Sequence, residues 1–181
     1  MKRVLGLGLA LLMASPTLAD GLFDRLHALG GGSYPGRMTF PVDPAHEMNK
    51  PMLITVQAVS EEEIRIPLQV GEDRSRTWIL TRSDSGVLLK HDHRHADGTP
   101  DEITNYGGLA THAELGNLLV FPADDDTARL LPEAASNAWS LRLSPDGRQL
   151  FYYLERQSQP RFEAAFDLVA NPAPVPAGDA D

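Results

Sequence analysis

The chain contains no cysteine. That single absence removes disulfides, thiol nucleophiles, dithiol redox chemistry and cysteine-ligated metals from consideration. It also has no cluster of basic residues, because 16 Lys and Arg are scattered among 25 Asp and Glu, for a formal net charge of −9. Such a chain repels phosphate backbones and anionic lipid surfaces, which argues against nucleic acid as a partner. No segment supplies the roughly 20 consecutive apolar residues that a membrane-spanning helix needs. No glycine-flanked serine elbow is present either: Ser83 and Ser85 sit in a turn beside Asp84, so a nucleophilic triad is not visible.

What is present begins with MKRVLGLGLALLMASPTLA. Lys2 and Arg3 precede an apolar run from Val4 to Met13, Ser15-Pro16 breaks the pattern, and Thr17 and Ala19 offer small residues before a cleavage point. This is the layout of a secretory signal peptide over residues 1–19, and it predicts an exported protein, periplasmic or secreted. Without a cysteine at the cleavage point, a lipoprotein anchor is not available. Loss of Lys2 and Arg3 makes the mature chain two charges more negative than the full-length −9. An exported domain without disulfides is held by its core alone, and about 160 residues are enough to bury one. At the other end, NPAPVPAGDAD (171–181) alternates proline with small and acidic residues and predicts a disordered tail. One domain, 20–170, remains between them.

Within that domain, LFDRLHAL (22–29) places Leu22, Leu26 and Leu29 on one helical face before Gly30-Gly31-Gly32. Beyond it the dominant period is two. Met52, Ile54, Val56 and Ala58 share a side, as do Ile64, Ile66, Leu68 and Val70, with Pro67 marking an edge or bulge. Trp78 and Leu80 oppose Thr77, Ile79 and Thr81. Leu118 and Val120 alternate with Leu119 and Phe121, and Trp139, Leu141 and Leu143 face away from Ser140 and Arg142. Leu150, Tyr152 and Leu154 oppose Phe151 and Tyr153, and Phe162, Ala164, Phe166 and Leu168 oppose Arg161, Glu163 and Asp167. Turn formers separate these runs at Gly71-Glu72-Asp73, Ser83 to Gly86, Asp97-Gly98 and Ser144 to Gly147. A second helical turn is expected over Asp124 to Leu131, with Asp124–Asp126 at its N-terminus rather than in a calcium loop. Glu61-Glu62-Glu63 reads as a solvated hairpin end. The pattern predicts an all-β fold, an antiparallel up-and-down β-barrel of about ten strands with a short N-terminal helix.

The helix, the glycine-rich GGSYPG and the strand MTF over residues 22–40 resemble the opening of lipocalin-like (calycin-type) barrels. In that family a Gly-x-Trp begins the first strand, and Tyr34 stands here at the tryptophan position. The resemblance implies a cup-shaped barrel that binds small, mainly apolar molecules or a tetrapyrrole, without catalysis. The HRH–DG–TPD–YGG and FPAD segments resemble those of exported bacterial proteins of unknown function.

The segment HDHRHADGTPDEITNYGG (91–108) is the least ordinary part of the chain. Read as a strand from Gly86 to His95, a turn at Asp97-Gly98 and a return strand from Asp101 to Tyr106, it puts Val87, Leu89, His91, His93 and His95 on one face. Alternate imidazoles about 7 Å apart along a strand suit a shared Zn²⁺ or Fe²⁺ at about 2.1 Å. His91-x-His93 followed by Asp97, with His112 near Asn117, also resembles the two metal motifs of cupins. The alternatives are histidines that line a ligand or hydrogen-bond Asp101 and Glu102, and an acid–base pair of His93 or His95 with Asp97 or Asp101. Tyr106 precedes Gly107-Gly108, a corner or bulge where its hydroxyl is expected to satisfy a buried backbone group. The expected ligand-binding residues are His91, His93, His95, Tyr106, Trp78, Trp139 and Tyr152, for a small apolar or amphipathic molecule. His91, His93 and His95 are the metal ligands of the alternative reading, a zinc or iron metalloprotein. No cofactor is otherwise implied, and monomer or dimer is undecided by sequence.

Overall fold

A computed structural model describes residues 21–110 and 116–169. The expected signal peptide, His112 and the expected tail lie outside the described residues. The elements run α1 (Leu22–His27), β1 (Ser33–Phe40), β2 (Met52–Thr55), β3 (Gln57–Ala58), β4 (Glu63–Val70), β5 (Asp73–Ser83) and β6 (Gly86–His93). They continue with β7 (Tyr106–Ala110), β8 (Leu118–Pro122), α2 (Asp125–Leu130), a 3₁₀ turn (Pro132–Ala134), β9 (Asn137–Leu143), β10 (Gln149–Arg156) and β11 (Gln159–Asp167).

Among the described residues every strand pairing is antiparallel, and the order is β7-β6-β5-β4-β2-β1-β11-β10-β9-β8, with β3 added to β4. Each strand therefore lies beside its sequence neighbour, and the first and last strands meet through Gly36 opposite Phe166 and Met38 opposite Ala164. The result is a nearly closed up-and-down barrel, as the alternation predicted. Its inner face carries Ile54, Ile64, Ile66, Leu80, Leu89, Leu119, Phe121, Leu141, Leu150 and Phe166, all essentially without solvent exposure. The outward residues of β8, Leu118 and Val120, remain exposed, so the alternation there reads correctly with the opposite pair inside.

Among the described residues the ring of pairings is open between β7 and β8, and the start of α2 stitches that junction. Thr127 Oγ1 accepts from the Gly107 N–H at 2.7 Å and donates to the Gly107 carbonyl at 2.9 Å. The Asp124 N–H donates to that carbonyl as well, at 2.9 Å. Asp124 Oδ1 caps α2 by accepting from the Thr127 N–H at 2.8 Å, while Oδ2 pairs with Lys90 Nζ of β6 at 2.6 Å. The strands come so close here that a Cβ on Gly108 would lie 1.7 Å from the Pro122 carbonyl oxygen. Glycine at 108 is thus a packing requirement.

α1 covers one end of the barrel. Leu22, Phe23 and Leu26 are buried, Arg82 pairs with Asp24 and lies 4.5 Å from the Phe23 ring centroid, and Arg25 Nη1 donates to Asn117 Oδ1 at 2.6 Å. Tyr34 is buried at the start of β1, and its hydroxyl donates to the Leu29 carbonyl at 3.1 Å, tying the helix exit to the first strand.

Two local expectations are corrected. Met52 to Ala58 is not one strand, and Ala58 is exposed rather than inward. The ladder to β4 keeps one register, with Ile54 opposite Leu68 and Gln57 opposite Arg65, but is interrupted between them where Pro67 has no N–H to donate. Val56 instead bonds the glycine run, its N–H donating to Gly32 and its carbonyl accepting from Gly31. The return strand of the histidine hairpin begins at Tyr106, not Asp101. Asn105 takes a left-handed φ of 59°, and a chain in that conformation cannot be extended.

Candidate functional site

The end of the barrel opposite α1 holds a cluster of aromatic and imidazole side chains drawn from separate strands. Trp78 of β5 stacks on Tyr152 of β10 with centroids 4.3 Å apart and planes 13° apart, so side chains from opposite walls meet across the interior. His91 of β6 stacks on Tyr106 of β7 at 4.7 Å, and Trp139 of β9 lies 5.1 Å from His91 and 5.7 Å from Tyr106. Phe162 and Phe166 of β11 close the group edge-on, against Tyr152 and Trp78 respectively.

Hydrogen bonds set the state of His91. Its Nδ1 faces the Tyr106 carbonyl at 3.2 Å, which only accepts, so Nδ1 carries the proton. Nε2 is then the acceptor for the Tyr152 hydroxyl at 2.8 Å. Burial holds the imidazole neutral, with its pKa lowered from 6.5 to about 3, and the charges of His93 and Lys90 act in the same direction against the favourable Tyr106 bond. Burial likewise raises the Tyr152 phenol well above its ordinary value, with Tyr106 adding to the effect and Arg76 opposing it.

One layer further from α1, His93 Nε2 and the Tyr106 hydroxyl share a hydrogen bond of 3.0 Å. The tyrosine therefore partners a side chain, not the buried backbone group expected from sequence. Both residues are half-buried. Burial and then the Arg76 charge lower the His93 pKa, while Asp101, Asp73 and Asp92 raise it. Burial raises the Tyr106 pKa and Arg76 opposes it.

The structure brings together Trp78, His91, His93, Tyr106, Trp139 and Tyr152, which the sequence had proposed as lining residues. It does not bring His95. β6 ends at His93, Arg94 bridges to Pro100, and His95 sits exposed at the hairpin tip with its N–H bonded to the Thr99 carbonyl. Asp97 holds Thr99 and Asp101 holds the Ile103 N–H, so neither carboxylate hydrogen-bonds an imidazole. Among the described residues no three His, Asp or Glu side chains are arranged to hold a metal ion, and both ring nitrogens of His91 are already engaged. The convergence required by the zinc or iron reading is not found there. Asp124, from the acidic trio, serves as the helix cap expected of it.

Sequence reasoning missed Arg76. It shares the inward face of β5 with Trp78 and Leu80 and lies opposite Leu68 and His93 in the ladders on either side. Its parity with Trp78 was the available signal, masked because an arginine at a strand start ordinarily reads as solvated. No protein-family model, curated protein or solved structure matches this chain.

Proposed function

We propose that this protein is an exported, lipocalin-like (calycin-type) barrel that binds one small hydrophobic or amphipathic molecule at its open end, without transforming it. The observation that carries the reading is the asymmetry of the two ends. α1 plugs one with buried Leu22, Phe23 and Leu26, while the other presents half-buried His93 and Tyr106 above an aromatic floor of Trp78, Tyr152 and Trp139. A concave apolar surface with a few convergent polar groups is the usual form of a small-molecule site. The short helix, the glycine run and the buried Tyr34 at the start of β1 support the calycin-type likeness. The layout of residues 1–19 supports export. The imidazoles bond to tyrosines, which suits binding better than acid–base catalysis.

Both tryptophans of the chain lie in this cluster, so intrinsic fluorescence reports on the site directly. Titration with a panel of small apolar and amphipathic molecules is expected to give a saturable change at one equivalent, with a matching rise in melting temperature. Absence of both across the panel would overturn the proposal.

A further inference from the structure

The outer wall of β8, β9 and β10 carries three rows of side chains in register. Leu118, Arg142 and Phe151 form the first, Val120, Ser140 and Tyr153 the second, and Pro122, Ala138 and Glu155 the third. Their strand neighbours Leu119, Phe121, Trp139 and Leu141 fill the interior, so the three rows face outward. Leu118 and Val120 are 46 % and 41 % exposed, and Phe151 and Tyr153 are half-buried on the same wall. Exposed apolar side chains scattered singly are ordinary, but these are grouped within three adjacent strands.

Opposite charges stand on this wall but apart from each other. Arg142, in the first row, holds its guanidinium 4.1 Å from the Phe151 ring centroid. Glu155, in the third row, lies opposite Ala138, four residues from Arg142 along β9. That separation is about 14 Å by the rise of a strand, too far for the two to pair within one molecule. Among the described residues neither side chain has an ion-pair partner. Glu163, one strand further round beside Tyr153, is already engaged by the Thr39 hydroxyl at 2.7 Å.

We propose that this wall is the interface of a homodimer whose twofold axis runs along the Val120–Ser140–Tyr153 row. A twofold axis in the plane of an isologous interface exchanges the rows on its two sides. The first row of one protomer then lies over the third row of its partner. Val120 and Tyr153 meet their own counterparts, Leu118 meets Pro122 of the partner subunit, and Arg142 comes within reach of the partner's Glu155. Symmetry makes each contact twice, so a pair that one molecule cannot form is formed twice between two. A chain of net charge −9 repels its own copies, and association needs a face where opposite charges meet. This wall is such a face, and its charge pattern fixes register and orientation as well. Because the rows lie outside the barrel, the proposal is independent of the ligand-binding reading.

Sedimentation velocity of the purified protein over a range of concentrations reads the assembly directly. The wild-type protein is expected to form a dimer that dissociates on dilution. Arg142→Glu and Glu155→Arg each set like charges against one another twice in the dimer, and each is expected to weaken it by about thirtyfold or more. Mixed in equal amounts, the two variants regain both opposite-charge pairs and are expected to form a heterodimer, which also shows that each remains folded. A wild-type protein that stays monomeric to its solubility limit would overturn the proposal and leave the wall to a different partner. A dimer that both reversals leave unchanged would overturn it too, placing the interface on another face. So would a mixture of the two variants that stays monomeric.

Discussion

His91 shows how one buried side chain makes stability depend on pH. It is neutral in the fold because burial lowers its pKa to about 3, whereas the unfolded chain takes up its proton near 6.5. Its contribution is fully present above the unfolded value and is lost as pH falls, by about 1.4 kcal/mol per unit between the two pKa values. Urea unfolding of wild type and His91→Phe across pH 7 to pH 5 is expected to show a shallower fall for the variant, the difference approaching one proton. Parallel slopes would show that His91 titrates normally. Tyr152→Phe strips the donor from His91 Nε2 and leaves a buried acceptor unsatisfied, at a cost of about 1–3 kcal/mol. Because the two side chains act as a unit, the double variant His91→Phe/Tyr152→Phe is expected to lose less than the sum of the singles by thermal or urea melts. At this scale the sequence was partly legible. The histidine spacing and the tyrosines Tyr106 and Tyr152 drew attention to the right residues, but which imidazole each tyrosine bonds is set by the tertiary placement of β7 and β10 against β6.

Among the elements, the seam between β7 and β8 is where the barrel depends on single atoms. Gly108→Ala drives a methyl into the Pro122 carbonyl, and forced overpacking of this kind costs about 1–3 kcal/mol or more. Thr127→Val removes both side-chain bonds to Gly107 and leaves its N–H unsatisfied, while the carbonyl keeps the Asp124 N–H, for about 1–3 kcal/mol. Hydrogen exchange is expected to place the loss of protection in β7, β8 and α2 ahead of β4 and β5. Uniform loss would show that the seam opens only with the whole barrel. At the plugged end, Leu26→Ala empties a fully buried position and is expected to lower stability by about 2–5 kcal/mol, read from chemical denaturation. Period-two alternation predicted β4, β5, β9, β10 and β11 well, because each has one face in the core and one outside. It failed at Ala58, where Pro67 interrupts the neighbouring ladder, and at residues 101–105, where Asn105 turns left-handed.

For the whole molecule, α1 covers one end of the barrel with Leu22, Phe23 and Leu26, and the proposed ligand site lies at the other. A ligand that binds the folded barrel and not the unfolded chain raises stability by about 2.7 kcal/mol at a hundredfold excess over its dissociation constant. A small apolar or amphipathic molecule that binds there is therefore expected to raise the melting temperature of the wild-type protein, a readout that needs no fluorescence change.

The sequence by itself determined the all-β class, the approximate strand count, the helix before the first strand and the absence of thiol chemistry. These follow from composition and from a repeat of two residues, which are local properties of the chain. Only the tertiary structure decided which of the two faces of each strand points inward, because alternation describes both faces equally. Closure of β1 on β11 is set by residues far apart in the chain, Gly36 against Phe166, and it fixes the interior for every strand between them. That closure puts Trp78 on Tyr152, sets Arg76 beside His93 and leaves His95 outside, and no local pattern contains the information to do so.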